Sequence, residues 1–260
     1  MSYQTLDIEL DPRGVAYVRL NLPDSRNALS AEMIAELTHM AKSLGADRAT
    51  RAIVLSGNGK VFCAGGDLRW MQAQIEADRE TRMREARKLA EMLNALNEMP
   101  TPLIGRIHGG AFGGGVGMAC VCDVAIAAEG TRFGLTETRL GLIPATIGPY
   151  VLARMGEGRA RRVFMSARLF DAAEAVELGV LARAVEPEAL DAAVEAEVAP
   201  YLDVAPGAVG EAKALARAMG PRIDESVIDD TIRRLADTWE RDEAARGIAA
   251  FLEKRKADWG

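Results

Sequence analysis

The segment Ile107–Cys120 reads Ile-His-Gly-Gly-Ala-Phe-Gly-Gly-Gly-Val-Gly-Met-Ala-Cys, with six glycines among the nine positions from Gly109 to Gly117. Each glycine gives up backbone entropy without side-chain packing, so this run is not expected inside a helix or strand. It is expected to supply unusual dihedrals or to let a ligand approach the main chain. A helix beginning at about Gly114 would present N–H groups without intrahelical partners at the positive end of its dipole. Such an amide stabilises negative charge, and the Gly114 N–H is read as one half of an oxyanion hole. A second glycine turn, Val61-Phe-Cys-Ala-Gly-Gly-Asp-Leu68, leads into another helical pattern.

Duller readings compete with this one. A glycine turn also lets a helix pack closely on a sheet. The phosphate-cradling pattern GxxxxGK[ST] is absent. A dinucleotide site needs an acidic residue ending a strand about 20 residues on, and Glu137 has the spacing but not that context.

The chain has 260 residues, enough for one large domain with an appendage. Its net charge of −6 argues against nonspecific nucleic-acid binding. Three cysteines, Cys63, Cys120 and Cys122, make no disulfide framework and suit a reducing compartment. Cys120-x-Cys122 lacks the partners of a zinc site, and no metal is expected. No apolar run reaches the ~18 residues that span a bilayer, and Met1–Asp7 does not read as a signal peptide. A soluble, cytoplasmic protein is expected.

The elements that must position these turns follow from pattern. Leu6–Leu10 and Val15–Leu20 alternate around Asp11-Pro-Arg-Gly14 as a hairpin. Ser30 caps a helix over 31–45, and 52–56 is a buried strand. Helices are expected from Leu68 to Met71 and over 80–99, the second stopped at Pro100, with strands at Leu103-Ile104 and 124–127. Residues 131–148, dense in Gly, Pro and Thr, are expected to be a structured loop. Helices then dominate, over 149–155, 158–165, 172–178, 188–202, 208–218, 225–239 and 242–256. Strands interleaved with helices, then helices almost alone, indicate an α/β core with a helical C-terminal part. No sequence repeat or low-complexity segment is evident.

Taken together, Asn27-Ala-Leu-Ser30, Phe62-Cys-Ala-Gly-Gly-Asp67-Leu68, the Gly109–Gly117 turn, Phe133-Gly-Leu-Thr-Glu137 and Gly141-Leu-Ile-Pro144 resemble the enoyl-CoA hydratase/isomerase (crotonase) superfamily over essentially the whole chain. The resemblance implies ββα units wound as a spiral. Residues 1–200 would form the α/β core with the acyl-CoA site, and residues 201–260 a helical trimerisation region, trimers commonly pairing into hexamers. It implies an acyl-CoA substrate and no separate cofactor, coenzyme A being part of the substrate. The thioester oxygen would be held by the N–H groups of Gly66 and Gly114. Arg26, Ala28, Ala64 and Leu68 match positions lining the CoA moiety, and Phe251 and Lys254 match positions reaching its nucleotide end from a neighbouring subunit. Asp67 belongs with the same pocket, its own job being to cap the following helix.

One departure concerns proton transfer. Hydratases of this superfamily carry a glutamate in the helix after the glycine triplet and another in the Phe-Gly-x-x-Glu loop. Here Gly117 takes the first position in the pocket and Glu137 alone remains. A carboxyl beside an apolar acyl pocket has a raised pKa, fitting Glu137 to donate and accept a proton near neutrality. Three mechanisms are open: Glu137 with a water held by main chain, a substrate bringing its own carboxylate, or isomerisation by one base. The stretches Phe62–Met71 and Phe133–Tyr150 resemble the subgroup hydrating methylglutaconyl-CoA in leucine breakdown or isohexenylglutaconyl-CoA in acyclic terpene breakdown, which favours hydration. A distal carboxylate on such substrates calls for an arginine, Arg69 and Arg139 being the candidates. Gly117→Glu is expected to tolerate or improve hydration of plain crotonyl-CoA. Isomerase activity, or non-catalytic binding of acyl-CoA or RNA, are the alternatives. His39, His108, Arg159–Arg162 and the scattered tryptophans read as packing or solvated surface.

Overall fold

A computed structural model describes residues 3–260. Met1 and Ser2, which open the N-terminal segment judged above, lie outside the described residues, as does the side chain of Leu68. Strands β1 (Leu6–Leu10) and β2 (Val15–Leu20) pair antiparallel as the expected hairpin, Leu6 opposite Leu20. The Asp11 carboxylate accepts the Arg13 and Val15 N–H groups across the turn, at 2.8 and 3.0 Å. Helix α1 (Ala31–Ser43) starts where Ser30 Oγ accepts the Met33 N–H. Strand β3 (Ala52–Gly57) precedes α2 (Leu68–Glu76) and α3 (Arg79–Glu98). Then come β4 (Leu103–Ile107), β5 (Gly110–Phe112), α4 (Gly114–Val121), β6 (Val124–Ala128) and β7 (Arg132–Gly134). The chain continues through α5 (Gly148–Met155), α6 (Glu157–Phe164), β8 (Leu169–Asp171), α7 (Ala172–Glu177) and β9 (Arg183–Val185). It ends in α8 (Leu190–Leu202), α9 (Pro206–Ala218), α10 (Glu225–Trp239) and α11 (Asp242–Leu252).

The larger sheet has the order β1-β2-β3-β4-β6-β9, parallel from β2 onward. Successive side chains on a strand point to opposite faces, and both faces here are covered. Val15, Ala52, Val54, Ile104 and Ile126 meet Leu190, Val194 and Val198 of α8. Ala16, Val18, Ile53 and Leu55 face the other way, into the core with α1, α3 and α4. A smaller sheet, β5-β7-β8, is extended by parallel bridges pairing Cys63 with Ala111 and Leu29 with Gly66. Three times in succession the chain leaves a large-sheet strand, runs briefly in the small sheet and enters a helical turn: from β3 through Cys63 to α2, from β4 through β5 to α4, and from β6 through β7 to a 3-10 turn, Glu137–Leu140. In residue identity, two of the three windings share a Gly-Gly pair at the same step, Gly65-Gly66 and Gly113-Gly114.

Several expectations need correction. Residues 131–148 hold strand β7 and the 3-10 turn, and the helical second half contains β8 and β9. All three strands are three residues long, too short for alternation to register. Gly110 lies within a strand, and Gly114, Gly115 and Gly117 lie within α4. Their backbone cost is offset by packing that no side chain would permit: a Cβ at Gly115 would stand 2.8 Å from the Cys63 carbonyl oxygen. The last helix stops at Leu252 rather than Lys256.

Asn27, which the sequence marks only as part of the Asn27–Ser30 motif, ties this frame together. Fully buried and left-handed (φ +53°), it accepts the Leu22 N–H at 2.9 Å and donates to the carbonyls of Asn58 and Val61 at 2.8 and 3.0 Å. Asn27→Ala removes the partner of three partly buried main-chain groups and is expected to cost about 2–4 kcal/mol, read from the urea unfolding midpoint.

Candidate active site

The small sheet sets the geometry of the site. Cys63, Ala111 and Phe133 lie side by side on one rung, with neighbouring strands about 4.8 Å apart. Gly66 and Gly114 each follow that rung by three residues, and Glu137 follows Phe133 by four. The three predicted groups therefore leave the small sheet at one edge. Contacts tie the strands closely: Phe112 N–H donates to the Cys63 carbonyl at 3.0 Å, Cys63 N–H to Gly110 at 3.1 Å, and Gly113 N–H to Gly134 at 2.9 Å.

Among the described residues, neither the Gly66 nor the Gly114 N–H has a protein acceptor. Gly114 is the first residue of α4, where the N–H finds no intrahelical partner. The turn before it needs glycine, since Gly113 adopts φ +48°. Gly66 is exposed, and a Cβ there would meet nothing nearer than Met71 Cγ at 4.0 Å, so protein packing does not explain its missing side chain. At the far end of α4, the Arg154 guanidinium donates to the carbonyls of Cys120, Cys122 and Asp123, countering the negative end of the helix dipole.

Glu137 comes up against the same peptide. Its Oε1 lies 3.0 Å from where a Gly113 Cβ would stand. Although the residue is partly exposed, its Oε2 is enclosed and has no hydrogen-bond partner among the described residues. Removal from water disfavours the charged form and pushes the carboxyl up to about 7, against a smaller opposing pull from its own backbone N–H.

Arg26, Ala28, Ala64, Gly66 and Asp67 are brought together. Ala64 N–H donates to the Arg26 carbonyl at 3.0 Å, and Leu29 N–H to Gly65 at 2.7 Å. Ala28 is buried, whereas Arg26 is exposed. Asp67 caps α2, accepting the N–H groups of Arg69 and Trp70 at 2.9 and 3.1 Å, which commits one of its oxygens. Beside it lies a groove of about 660 Å³ whose charged lining is Asp24, Glu32, Asp67 and Arg69. Three carboxylates against one guanidinium make it a poor cradle for phosphates. Phe251 and Lys254 lie exposed at the end of α11. Arg69 is 90% exposed at its side chain, and Arg139 is exposed on the turn after Glu137. Cys63, Cys120 and Cys122 are all buried free thiols, and burial raises each to about 12. His108 Nε2 bonds the Gly59 carbonyl at 2.9 Å, fastening one loop to the next.

Gly117 corrects an expectation. A Cβ there would stand 2.5 Å from Cγ2 and 3.0 Å from Cβ of Ile147, a residue 2% exposed. Ile147 fills the space a side chain at 117 would enter, so Gly117→Glu cannot be accommodated as it stands. Nothing in the Ile147 context announced this, because the contact joins residues thirty positions apart.

A sheet whose strands feed a second short sheet, with two unpaired amides and one enclosed carboxyl at its edge, defines a crotonase-like α/β protein. The chain belongs to the enoyl-CoA hydratase/isomerase family, whose sequence model matches residues 11–260. It is 35% identical to a protein of Rhizobium meliloti (strain 1021) described as a probable enoyl-CoA hydratase, over 100% of this chain and 99% of that one. Among solved structures it resembles an enoyl-CoA hydratase from Shewanella pealeana ATCC 700345, at 36% identity and TM-score 0.81, covering 99% of this chain and 96% of that one. Pseudomonas aeruginosa AtuE matches at 37% identity and TM-score 0.81, with 98% of each chain covered.

Two predictions follow from these contacts. A raised carboxyl pKa means the folded state holds its proton where the unfolded chain has released it, so Glu137 costs stability as pH rises from 4.5 to about 7. Glu137→Gln should therefore match the parent near pH 4.5 and exceed it by up to about 3 kcal/mol above pH 7, by thermal unfolding across that range. Gly117→Glu should lose about 3 kcal/mol or more through overpacking and a buried carboxylate, and Ile147→Gly in the same chain should restore part of it, by the same melts.

Proposed function

We propose that this chain is a hydratase that adds water across the double bond of a branched, carboxylated enoyl-CoA similar to methylglutaconyl-CoA. The observation that carries the reading is the enclosed, unpaired Glu137 carboxyl beside the peptide that presents the Gly114 amide. In the ionised form Glu137 takes a proton from water as the water oxygen bonds to the β-carbon. The π electrons move toward the thioester oxygen, where the Gly66 and Gly114 N–H groups hold the developing charge, at roughly 3–4 kcal/mol each. The protonated carboxyl then delivers that proton to the α-carbon, completing the net addition of one water. A pKa of about 7 suits a group that must work in both directions.

The acyl group is inferred from the resemblance of Phe62–Met71 and Phe133–Tyr150, with Arg139 and Arg69 as cations for the distal carboxylate. Residues 201–260 build a trimer, alone or paired. Leu215 at 61% and Met219 at 82% exposure are its candidate contacts. In that assembly Phe251 and Lys254 of a neighbouring copy approach the nucleotide end of CoA, supplying positive charge the acidic groove lacks. The substrate brings the only coenzyme, and the working compartment is the cytoplasm, an inference from composition. Among the described residues no helix is long and apolar enough to cross a membrane.

A second reading, isomerisation by one base, is favoured by Ile147 filling the space beside Gly117, where a second carboxyl would have to stand. Oxygen-18 water separates the two, since hydration places label in the product and isomerisation does not. With the preferred substrate, Glu137→Gln should lower kcat about 1,000-fold with little change in KM, followed by loss of the conjugated thioester absorbance. Full turnover by that variant removes the assignment. Across a panel of enoyl-CoAs, branched glutaconyl forms should exceed straight-chain crotonyl-CoA in kcat/KM, and the reverse order removes the proposed acyl group.

A further inference from the structure

The placement of Glu137 has an origin outside the two sheets, an inference that rests on Glu137 being the acid and base. Among the described residues no other residue hydrogen-bonds its carboxyl, so the backbone of the Glu137–Leu140 turn sets where the carboxyl sits. That turn ends at Gly141, left-handed at φ +69°, and the Leu142 N–H returns to the Glu137 carbonyl at 3.1 Å. Beyond it lies α11. A Cβ at Gly141 would stand 2.4 Å from the Glu243 carbonyl carbon and 2.6 Å from the Ala244 nitrogen. Reciprocally, a Cβ at Gly247 would stand 2.5 Å from the Leu140 carbonyl carbon and 2.7 Å from its oxygen. Two glycines thus bring main chain against main chain, with no side chain between to yield. Leu142, Trp239, Ala244 and Ile248, with Leu140 against them, form a cluster separate from the main core. On the other flank the turn is held by the Thr138 hydroxyl, which donates to the Met165 carbonyl at 3.2 Å.

We propose that α11 positions Glu137 for proton transfer, with Gly141 and Gly247 as the positioning residues. A methyl group at residue 247 needs roughly 3.5 Å from the Leu140 carbonyl carbon and has 2.5 Å. The 3-10 turn, helix α11 or both must then separate by about 1 Å, and a misplacement of that size costs about 100-fold in rate. The Gly66 and Gly114 amides lie on other elements and stay in place.

Gly247→Ala in the full-length protein should lower kcat about 100-fold with KM within twofold. Ile248→Ala, which loosens the contact without forcing it apart, should lower kcat per folded molecule at least about fivefold. Val198→Ala on α8, at the opposite face of the large sheet, serves as the control. It should lower the melting temperature as much as Ile248→Ala while leaving kcat unchanged well below that temperature. Parental kcat in folded Gly247→Ala overturns the proposal. So does a rise in KM as large as the fall in kcat. If Gly247→Ala does not fold, parental kcat in Ile248→Ala overturns it instead. Glu137→Gln separates the two levels: its full activity removes Glu137 as the acid, whereas its inactivity beside fully active α11 variants removes only the positioning role.

Discussion

Close approach of main chain to main chain along the rung Cys63–Ala111–Phe133 is the constraint on which the rest of the structure depends. The strands of the small sheet meet through backbone hydrogen bonds between the 61–66 turn and β5, and between the β5–α4 turn and β7. That approach tolerates side chains only where they point away. Gly109 and Gly115 abut carbonyl oxygens of Lys60 and Cys63, so neither position admits a Cβ. Given the rung, the two amides follow it by three residues and the carboxyl by four on three successive windings. Their placement at one edge follows from sheet register and does not require a separate arrangement for each.

Electrostatics at this edge follow from what is left unpaired. Among the described residues, an N–H at the start of a helix and an N–H at a bridge end both lack acceptors, while one oxygen of the neighbouring carboxyl is enclosed without a donor. These conditions are unfavourable to folding taken singly, since unpaired polar groups raise the free energy of a buried site. Together they leave two N–H dipoles and a titrating group without protein partners, available to act on a ligand. The stability to hold them comes from elsewhere, from the α8 face of the large sheet and from the Asn27 bonds.

Much of this was readable in the residues. The β1–β2 hairpin, the Ser30 and Asp67 caps and the span of α10 are local matters, set by alternation, a hydroxyl or carboxylate at the N-cap, and a polar–apolar period. The Gly114 helix start was legible for the same reason. What escaped was nonlocal. Strands β7, β8 and β9 are held by partners far along the chain, and a three-residue run has no period of its own. The glycines of α4 were misjudged because their cost was weighed without the neighbours they admit. Ile147 opposite Gly117, and Gly247 opposite Leu140, are contacts in space with no echo in spacing.

The three free thiols bear on how this edge behaves in a changing chemical environment. Cys63 lies on the rung itself, three residues before an unpaired amide, and Cys120 and Cys122 lie at the far end of the helix that begins with the other. Burial keeps all three protonated, and a thiol that cannot ionise is a poor nucleophile and a poor target for peroxide. The amide-bearing turn is accordingly insulated from oxidants and electrophiles as long as the fold is closed, even though sulfur is built into its framework.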